Sequence, residues 1–425
     1  MTSLAEKVQK PPSSPSRTAV PKRGEIDDLM DLHRRNLDTL RERVADLLDN
    51  RPEGSGTKYD DIFLLRYLLS NAKNPNSEKG LDLAEGSIRR TVAWREENAE
   101  ILKKIQETKK APFDEIWRSY MGVFRTYQKN KGPINFVVVD HSSTKALMDD
   151  HPFEKVQQFC LFTREDDFQI CDRLTRETRK LVKTVTVVDL HGMSVFSGDA
   201  DKRFAKALGD SSNISSDLYP QFLSKTIVIN LPSVFNWIWK ILKLFMSERS
   251  LSKITLHPLL GHGVDPKETG SLSDLVNVDE DNIPDFLGGS FDTTEALSHT
   301  KQRQEDTVTI TIPSRTSNEC RLRISEPGTM IAYLVKVESK NVIMTAKIIN
   351  DGPELTLFES RKVNATEGTL TGNWIAPLPG TLVITFDNSY SMLRSKTVRY
   401  CVKIVSKEDA NLDGLLDASA GTESD

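Results

Sequence analysis

Cysteine is scarce: 4 in 425 residues, namely Cys160, Cys171, Cys320 and Cys401, with no CxxC pair. That excludes a disulfide scaffold, and the four read as reduced, mostly buried thiols of a cytosolic protein. No apolar run is long enough for a signal peptide or a membrane span, so any membrane role is expected to be peripheral. A dominant charge is missing too. Lys and Arg number 57 against 61 Asp and Glu, a net charge of −4, so no global field draws nucleic acid, and no nucleic-acid-binding signature is present. Nor is there a GxSxG, HExxH, P-loop or GxGxxG motif. Gly54-Ser55-Gly56-Thr57-Lys58 lacks phosphate-loop spacing and reads as a turn. His257 and His262 have no neighbouring Asp, Glu or Cys to complete a ligand set. His191, in Asp189-Leu190-His191-Gly192, has no nucleophile nearby and reads as a strand-end polar residue. The expectation is a protein that is not an enzyme and uses no cofactor or metal.

What is present is strong patterning, on an apolar content of 38% and a charged content of 28% that are ordinary for a folded protein. Residues 1–24, rich in Pro, Ser and basic residues, read as a disordered tail. Helical spacing dominates 25–110: Ile26, Leu29, Met30, Leu37, Leu40, Val44 and Leu47 share one long periodic run, 59–72 makes a second helix, and Ser77 opens a third that runs through Trp94. From 111 to 290 apolar strand runs (134–139, 184–190, 226–231, 254–257) alternate with helical stretches (152–180 and 199–223), which implies a mostly parallel sheet with crossover helices. A polar linker, 291–304, precedes eight short period-two segments within 305–406, an antiparallel sandwich. Residues 407–425 read as an acidic disordered tail. The fold class is therefore multidomain α+β.

The most unusual stretch is 233–247, after Pro232. At 100° per residue only Asn236, Lys240, Lys243 and Ser247 fall on a polar stripe. Val234, Phe235, Trp237, Ile238, Trp239, Ile241, Leu242, Leu244, Phe245 and Met246 fill the rest. A surface helix normally has the opposite proportions. Such a helix is a buried core element, a lid over an apolar cavity, or a segment that dips into a membrane interface.

Several stretches resemble the CRAL-TRIO lipid-binding family, of the phosphatidylinositol/phosphatidylcholine-transfer type. Phe63-Leu64-Leu65-Arg66-Tyr67-Leu68, with Trp94-Arg95-Glu96, is similar to its helical N-terminal module. Thr186-Val187-Val188-Asp189-Leu190-His191-Gly192 resembles its central strand. Tyr219-Pro220, Asn230-Leu231-Pro232 and the apolar helix resemble its gated pocket, and Pro284-Asp285-Phe286-Leu287-Gly288-Gly289 its closing turn. The segment Phe386-Asp387-Asn388-Ser389-Tyr390-Ser391, with Ser395-Lys396 and Tyr400, resembles a GOLD (Golgi dynamics) β-sandwich, with Met392 where an aromatic is usual.

The resemblance implies one hydrophobic ligand, a phospholipid, held in an internal pocket gated by helix 233–247, for transfer or sensing at membranes that the protein visits transiently. Phe235, Trp237, Ile238, Leu242 and Phe245 would line the gate. Thr184 and Thr186 match choline-phospholipid contacts, although β-branched residues are ordinary in a strand. Tyr219 belongs to the pocket motif, and Lys253 matches a phosphoinositide-headgroup lysine. Gln221-Phe222 and Leu69-Ser70-Asn71-Ala72 replace an acidic-basic pair and a basic run, which leaves a tocopherol-like or sterol-like isoprenoid open as the ligand. The alternative is a trafficking or signalling adaptor whose GOLD domain binds a protein partner under control of lipid occupancy.

Overall fold

The computed structural model describes residues 24–48, 57–70, 77–191, 201–231, 251–298, 307–350, 352, 354–367 and 369–405. The expected lid helix 233–247 lies outside the described residues, as do both tails.

The first unit is helical: α1 (Glu25–Leu32), α2 (Arg34–Arg43), α3 (Ala45–Leu48), α4 (Asp61–Ser70), α5 (Glu78–Glu97), α6 (Ala99–Thr108) and α7 (Asp114–Tyr120). The single helix expected from residue 26 to 47 is broken at His33 and Val44. A straight helix there would run about 33 Å. The two breaks instead fold it so that Ile26, Leu37, Leu40 and Val44 enter one core with Leu64, Leu65, Tyr67 and Ile88. Caps fix the later starts. Asp60 Oδ1 accepts from the N–H groups of Ile62 and Phe63, and Ser77 Oγ accepts from Gly80 N–H at 3.1 Å.

A five-stranded sheet follows, ordered β1 (Gly122–Tyr127), β2 (Pro133–Val138), β3 (Thr184–Asp189), β4 (Leu223–Ile229), β5 (Ile254–His257). β1 and β2 are antiparallel, and the rest of the ladder is parallel. Between these strands run α8 (Thr144–Asp150), α9 (Phe153–Phe162), α10 (Arg164–Thr178) and α11 (Lys202–Leu218). The long helix expected over 152–180 is two helices meeting at Thr163. β4 starts at Leu223 and ends at Ile229, two residues before the expected 231, because Asn230 takes a left-handed φ of +58°.

The C-terminal region is all β in its ladders: β6 (Val308–Ile312), β7 (Ser317–Ile324), β8 (Thr329–Val337), β9 (Asn341–Ile349), β10 (Leu355–Asn364), β11 (Thr369–Ala376), β12 (Gly380–Asp387) and β13 (Lys396–Val405). They form two antiparallel sheets, β10-β9-β12-β7 and β11-β8-β13-β6. Both contribute to one core: Val335 and Val398 from one sheet meet Met344, Ile384 and Phe386 from the other. Tyr333 stacks on Trp374 with ring centroids 4.1 Å apart.

Candidate functional site

Strand pairing turns isolated residues into rows. On one face of the five-stranded sheet, Phe124, Phe136, Val187 and Ile227 lie side by side, all buried, under Leu260, Leu272, Val276, Ile283 and Leu287 from the segment after β5. The other face is different. One row across it reads Val123, Val137, Val188, Val228 and Leu256, and the next reads Arg125, Asn135, Thr186, Thr226 and Ile254. Every one of these ten side chains is only half-buried. The sheet is thus sealed on one face and only half-buried along two adjacent rows of the other.

The helices α8 to α11 stand over that open face. Arg125 makes ion pairs with Asp166 (2.7 Å) and Asp167 of α10, and Asn135 Nδ2 donates to Asp167 Oδ2 at 2.6 Å. Burial works against the Arg125 charge, yet Asp167 and Asp166 outweigh it and raise the Arg125 pKa, so the guanidinium stays charged. Nearer the apolar row, Val123 packs with Tyr120, Leu147, Met148 and Phe204, and Trp117 stacks on Phe159 at 4.0 Å. The half-buried face thus meets charged and polar partners along one row and apolar ones along the other. The hydroxyls of Thr186 and Thr226 have no protein hydrogen-bond partner among the described residues.

Other residues expected at a site are placed as follows. Thr184 is on the same face as Thr186 but is 1% exposed, with its hydroxyl donating to the Phe222 carbonyl at 3.4 Å. Tyr219 lies apart from the face, buried against Phe168 and Phe222 and beside the Glu165–Arg95 pair. Burial and the Glu165 carboxylate raise its phenol well above the ordinary range. Lys253 is half-buried immediately before β5, and its carbonyl accepts from Thr226 N–H at 2.8 Å. Phe235, Trp237, Ile238, Leu242 and Phe245 lie outside the described residues. Arg125, Asn135 and Thr226 escaped the sequence reading. Asn135 carried the signal of a lone polar residue in an otherwise apolar strand, whereas Arg125 adjoins Thr126 and Thr226 follows Ser224 and Lys225, so neither stood out.

At the C-terminal ends of the parallel strands sits a polar hub. Asp189, 0% exposed, accepts from Asn230 Nδ2 (2.8 Å) and His191 N–H (2.9 Å) on Oδ1, and its Oδ2 pairs with His262 Nε2 at 2.7 Å. The carboxylate that pairs with His262 thus comes from 73 positions earlier in the chain. The His191 and His262 rings stack at 3.7 Å and 8°, so their nitrogens do not converge on an ion. Among the described residues no group of three or more His, Cys, Asp or Glu is disposed to hold a metal. Gly261 (φ +70°) is required here, since a Cβ would stand 2.5 Å from the Phe286 carbonyl oxygen.

Burial alone would raise the Asp189 pKa, but His262, Asn230 and the His191 N–H more than offset it, leaving the carboxyl below its ordinary 3.8. A depressed carboxylate stabilises the fold above its unfolded pKa, and that contribution is lost as pH falls through the folded value. Asp189→Asn is therefore expected to cost about 1–3 kcal/mol at neutral pH and to flatten the loss of stability on acidification. Urea melts taken from neutral pH down through the carboxylate range test this. Parallel profiles for wild type and variant would contradict it.

A separate cleft of about 470 Å³ opens in the helical unit beside Tyr59, Asp60, Asp61 and Arg179. Its charges are already paired: Asp61 with Arg34 and Arg41, Asp60 with Arg176, and Arg179 with Asp27. Among the described residues, no helix is long and apolar enough to cross a membrane. Burial pushes the Cys160 and Cys171 thiols up to about 12, which removes them as nucleophiles.

Parts of this chain are similar to known proteins. The CRAL-TRIO domain-containing protein T23G5.2 of Caenorhabditis elegans is 28% identical over 239 residues, 55% of this chain and 30% of that protein. The phosphatidylinositol/phosphatidylcholine transfer protein SFH11 of Arabidopsis thaliana is 26% identical over 191 residues, 44% of this chain and 47% of that one. The chain thus spans less than half the length of either relative. The crystal structure of Sfh5 superposes with a TM-score of 0.42 at 17% identity, covering 67% of this chain and 94% of the other. The family model of the CRAL/TRIO domain matches residues 118–289, the stretch that contains the whole five-stranded sheet. Residues 118–289 are thus similar to the CRAL/TRIO domain.

Proposed function

We propose that the protein binds one hydrophobic ligand, a phospholipid, over the half-open face of the five-stranded sheet and carries it between membranes without chemical change. The observation that supports this most is the pair of rows on that face. The Val123–Val137–Val188–Val228–Leu256 row offers hydrocarbon, and Asn135, Thr186 and Thr226 offer hydrogen bonds one step along each strand. A phospholipid has that same polarity sequence. Each buried methylene is worth about 0.8 kcal/mol, so the acyl chains supply the affinity and the polar row has only to orient the glycerol and headgroup. The family match of 118–289 and the printed activity of the Arabidopsis relative agree with a lipid ligand.

In this reading Thr186 touches the ligand, while Thr184 and Tyr219 hold the frame around it. Lys253 offers a cation for a phosphate, and the apolar segment 233–247 acts as the gate. The helical unit 25–110, the lipid-binding domain 111–290 and the GOLD-like sandwich 305–406 act as separate pieces on this view. Mass spectrometry of an organic extract of the purified protein is the test, with uptake from labelled vesicles alongside. One phospholipid per chain is expected, and its headgroup identifies what Thr186, Thr226 and Lys253 read. An empty extract together with no uptake would refute the proposal.

A further inference from the structure

One end of the C-terminal sandwich combines two features that rarely coincide on a protein surface. The turn between β12 and β13 holds Met392 at 68% and Leu393 at 92% exposure, with Tyr390 at 40% beside them. Around it stand five cations: Arg315 between β6 and β7, Lys340 between β8 and β9, Lys362 on β10, and Arg394 and Lys396 at the turn itself. None of the five has a carboxylate partner among the described residues. The acids nearby are occupied. Both Asp387 oxygens accept from Ser389, Glu367 pairs with Arg361, and Glu338 pairs with Arg399.

The turn is also built to hold its shape. Asn388, 0% exposed, donates through Nδ2 to the carbonyls of Ile312 (3.1 Å), Pro313 (3.1 Å) and Arg394 (2.9 Å), which ties the turn to the preceding loop. The Tyr390 hydroxyl donates to Asn341 Oδ1 at 2.6 Å, and its ring has the Lys362 and Lys396 ammonium groups 5.2 and 5.8 Å from its centroid. Lys396 is only 5% exposed. Its burial, followed by the fields of Lys340, Arg394 and Lys362, lowers its pKa, the signature of like charges gathered without a counter-ion. Leaving a full hydrophobic tip in water within a ring of uncompensated cations is unfavourable for an isolated domain and suits a surface that is anionic outside and hydrocarbon within.

We propose that this end of the sandwich docks on a bilayer containing anionic lipids, with Met392 and Leu393 entering the interface, Arg315, Lys340, Lys362 and Arg394 at headgroup level, and the buried Lys396 adding to the positive field behind them. A bilayer fits better than an acidic protein partner. The tip is a protruding turn, whereas a stable protein interface needs roughly 800 Å² on each side and pockets for its anchors. The inference uses no residue of the five-stranded sheet, so docking and ligand carriage fail separately.

The test is flotation of the full chain with phosphatidylcholine vesicles, with and without phosphatidylserine. The wild type is expected to float with the anionic vesicles only, less so as salt rises. Lys340→Glu with Lys362→Glu should weaken that binding at least about twenty-five-fold, on about fivefold per lysine removed from an anionic surface, and further because each glutamate is repelled. Leu393→Asp should weaken it about tenfold or more, and Leu393→Trp should strengthen it. Because Leu393 is almost fully exposed, these substitutions leave the fold intact, and an unchanged lipid content in the extract verifies this. Binding that ignores both the lysine and the Leu393 variants, or that is equal on neutral vesicles, overturns the proposal and leaves the patch to an acidic protein.

Discussion

Arg95→Ala is expected to cost about 3–5 kcal/mol in the first unfolding transition, the range for breaking one side of a buried ion pair. Arg95 is 1% exposed and Glu165 is fully buried, and the pair is bidentate at 2.6 and 3.2 Å. Removing the guanidinium leaves the buried Glu165 carboxylate without its cation, while Gln169 Nε2 donates to it at 2.7 Å from its own helix. Next door, Trp94 packs on Phe162 at 5.2 Å, so α5 is joined to α9 and α10 by one charged and one aromatic contact. Replacing both partners, Arg95→Met with Glu165→Met, should recover more than half of the loss, since the cost lies in the uncompensated charge rather than in the missing attraction. Arg66 provides the contrast. It is equally buried, but its nearest carboxylate, Asp172, is 3.5 Å away, and Nε and Nη1 have no hydrogen-bond partner. Burial accordingly lowers its pKa despite Asp172. Arg66→Met should therefore be much milder than Arg95→Met. Urea melts of the four variants decide the matter, and equal losses for Arg66→Met and Arg95→Met would count against the desolvation account.

These two arginines also mark how far the sequence carries. The motifs Leu64-Leu65-Arg66-Tyr67 and Trp94-Arg95-Glu96 are visible as words, but the partners of their arginines lie 109 and 70 positions away on α10. No local pattern announces such a distance. The eight C-terminal strands were legible because alternation needs only neighbours along the chain. The full length of β10 was not, since register shifts near Phe358 interrupt the alternation. The edge strand β1 was missed because Arg125 sits in the middle of it, and without β1 the polar row has no first member. Rows exist only after pairing. Thr186 could be singled out on its own strand, whereas its neighbours Asn135 and Thr226 become neighbours only through the parallel ladder. Tyr219 belongs to a recognisable motif, yet the structure uses it to fill the junction beneath α10.

The parity of β3 leads to the second large effect. Val187 and Val188 are adjacent in sequence and chemically identical, but they face opposite sides of the sheet. Val187 is 0% exposed between Phe136 and Ile227, and Val188 is half-buried between Val137 and Val228. Val187→Asp places a charge in a sealed core and should leave little folded protein, since an unpaired buried carboxylate costs several kcal/mol before any packing is lost. Val188→Asp should fold, with a loss of stability of about 1–2 kcal/mol, because the half-open face already tolerates Arg125, Asn135 and Thr226 in the next row. What Val188→Asp should remove is the ligand. A carboxylate on the hydrocarbon floor must be desolvated by the acyl chains, a penalty of several kcal/mol that lowers affinity about a thousandfold or more. Thr186→Val is the complementary change. It keeps the shape, adds no charge and deletes one hydroxyl, so the phospholipid should still be carried while discrimination between headgroups falls, by roughly tenfold for one lost hydrogen bond. Lipid content by mass spectrometry and vesicle-to-vesicle transfer read both effects, with thermal unfolding as the control. If the Val188→Asp protein is folded and still carries one lipid per chain, the half-open face is not the binding floor, and the ligand must lie elsewhere.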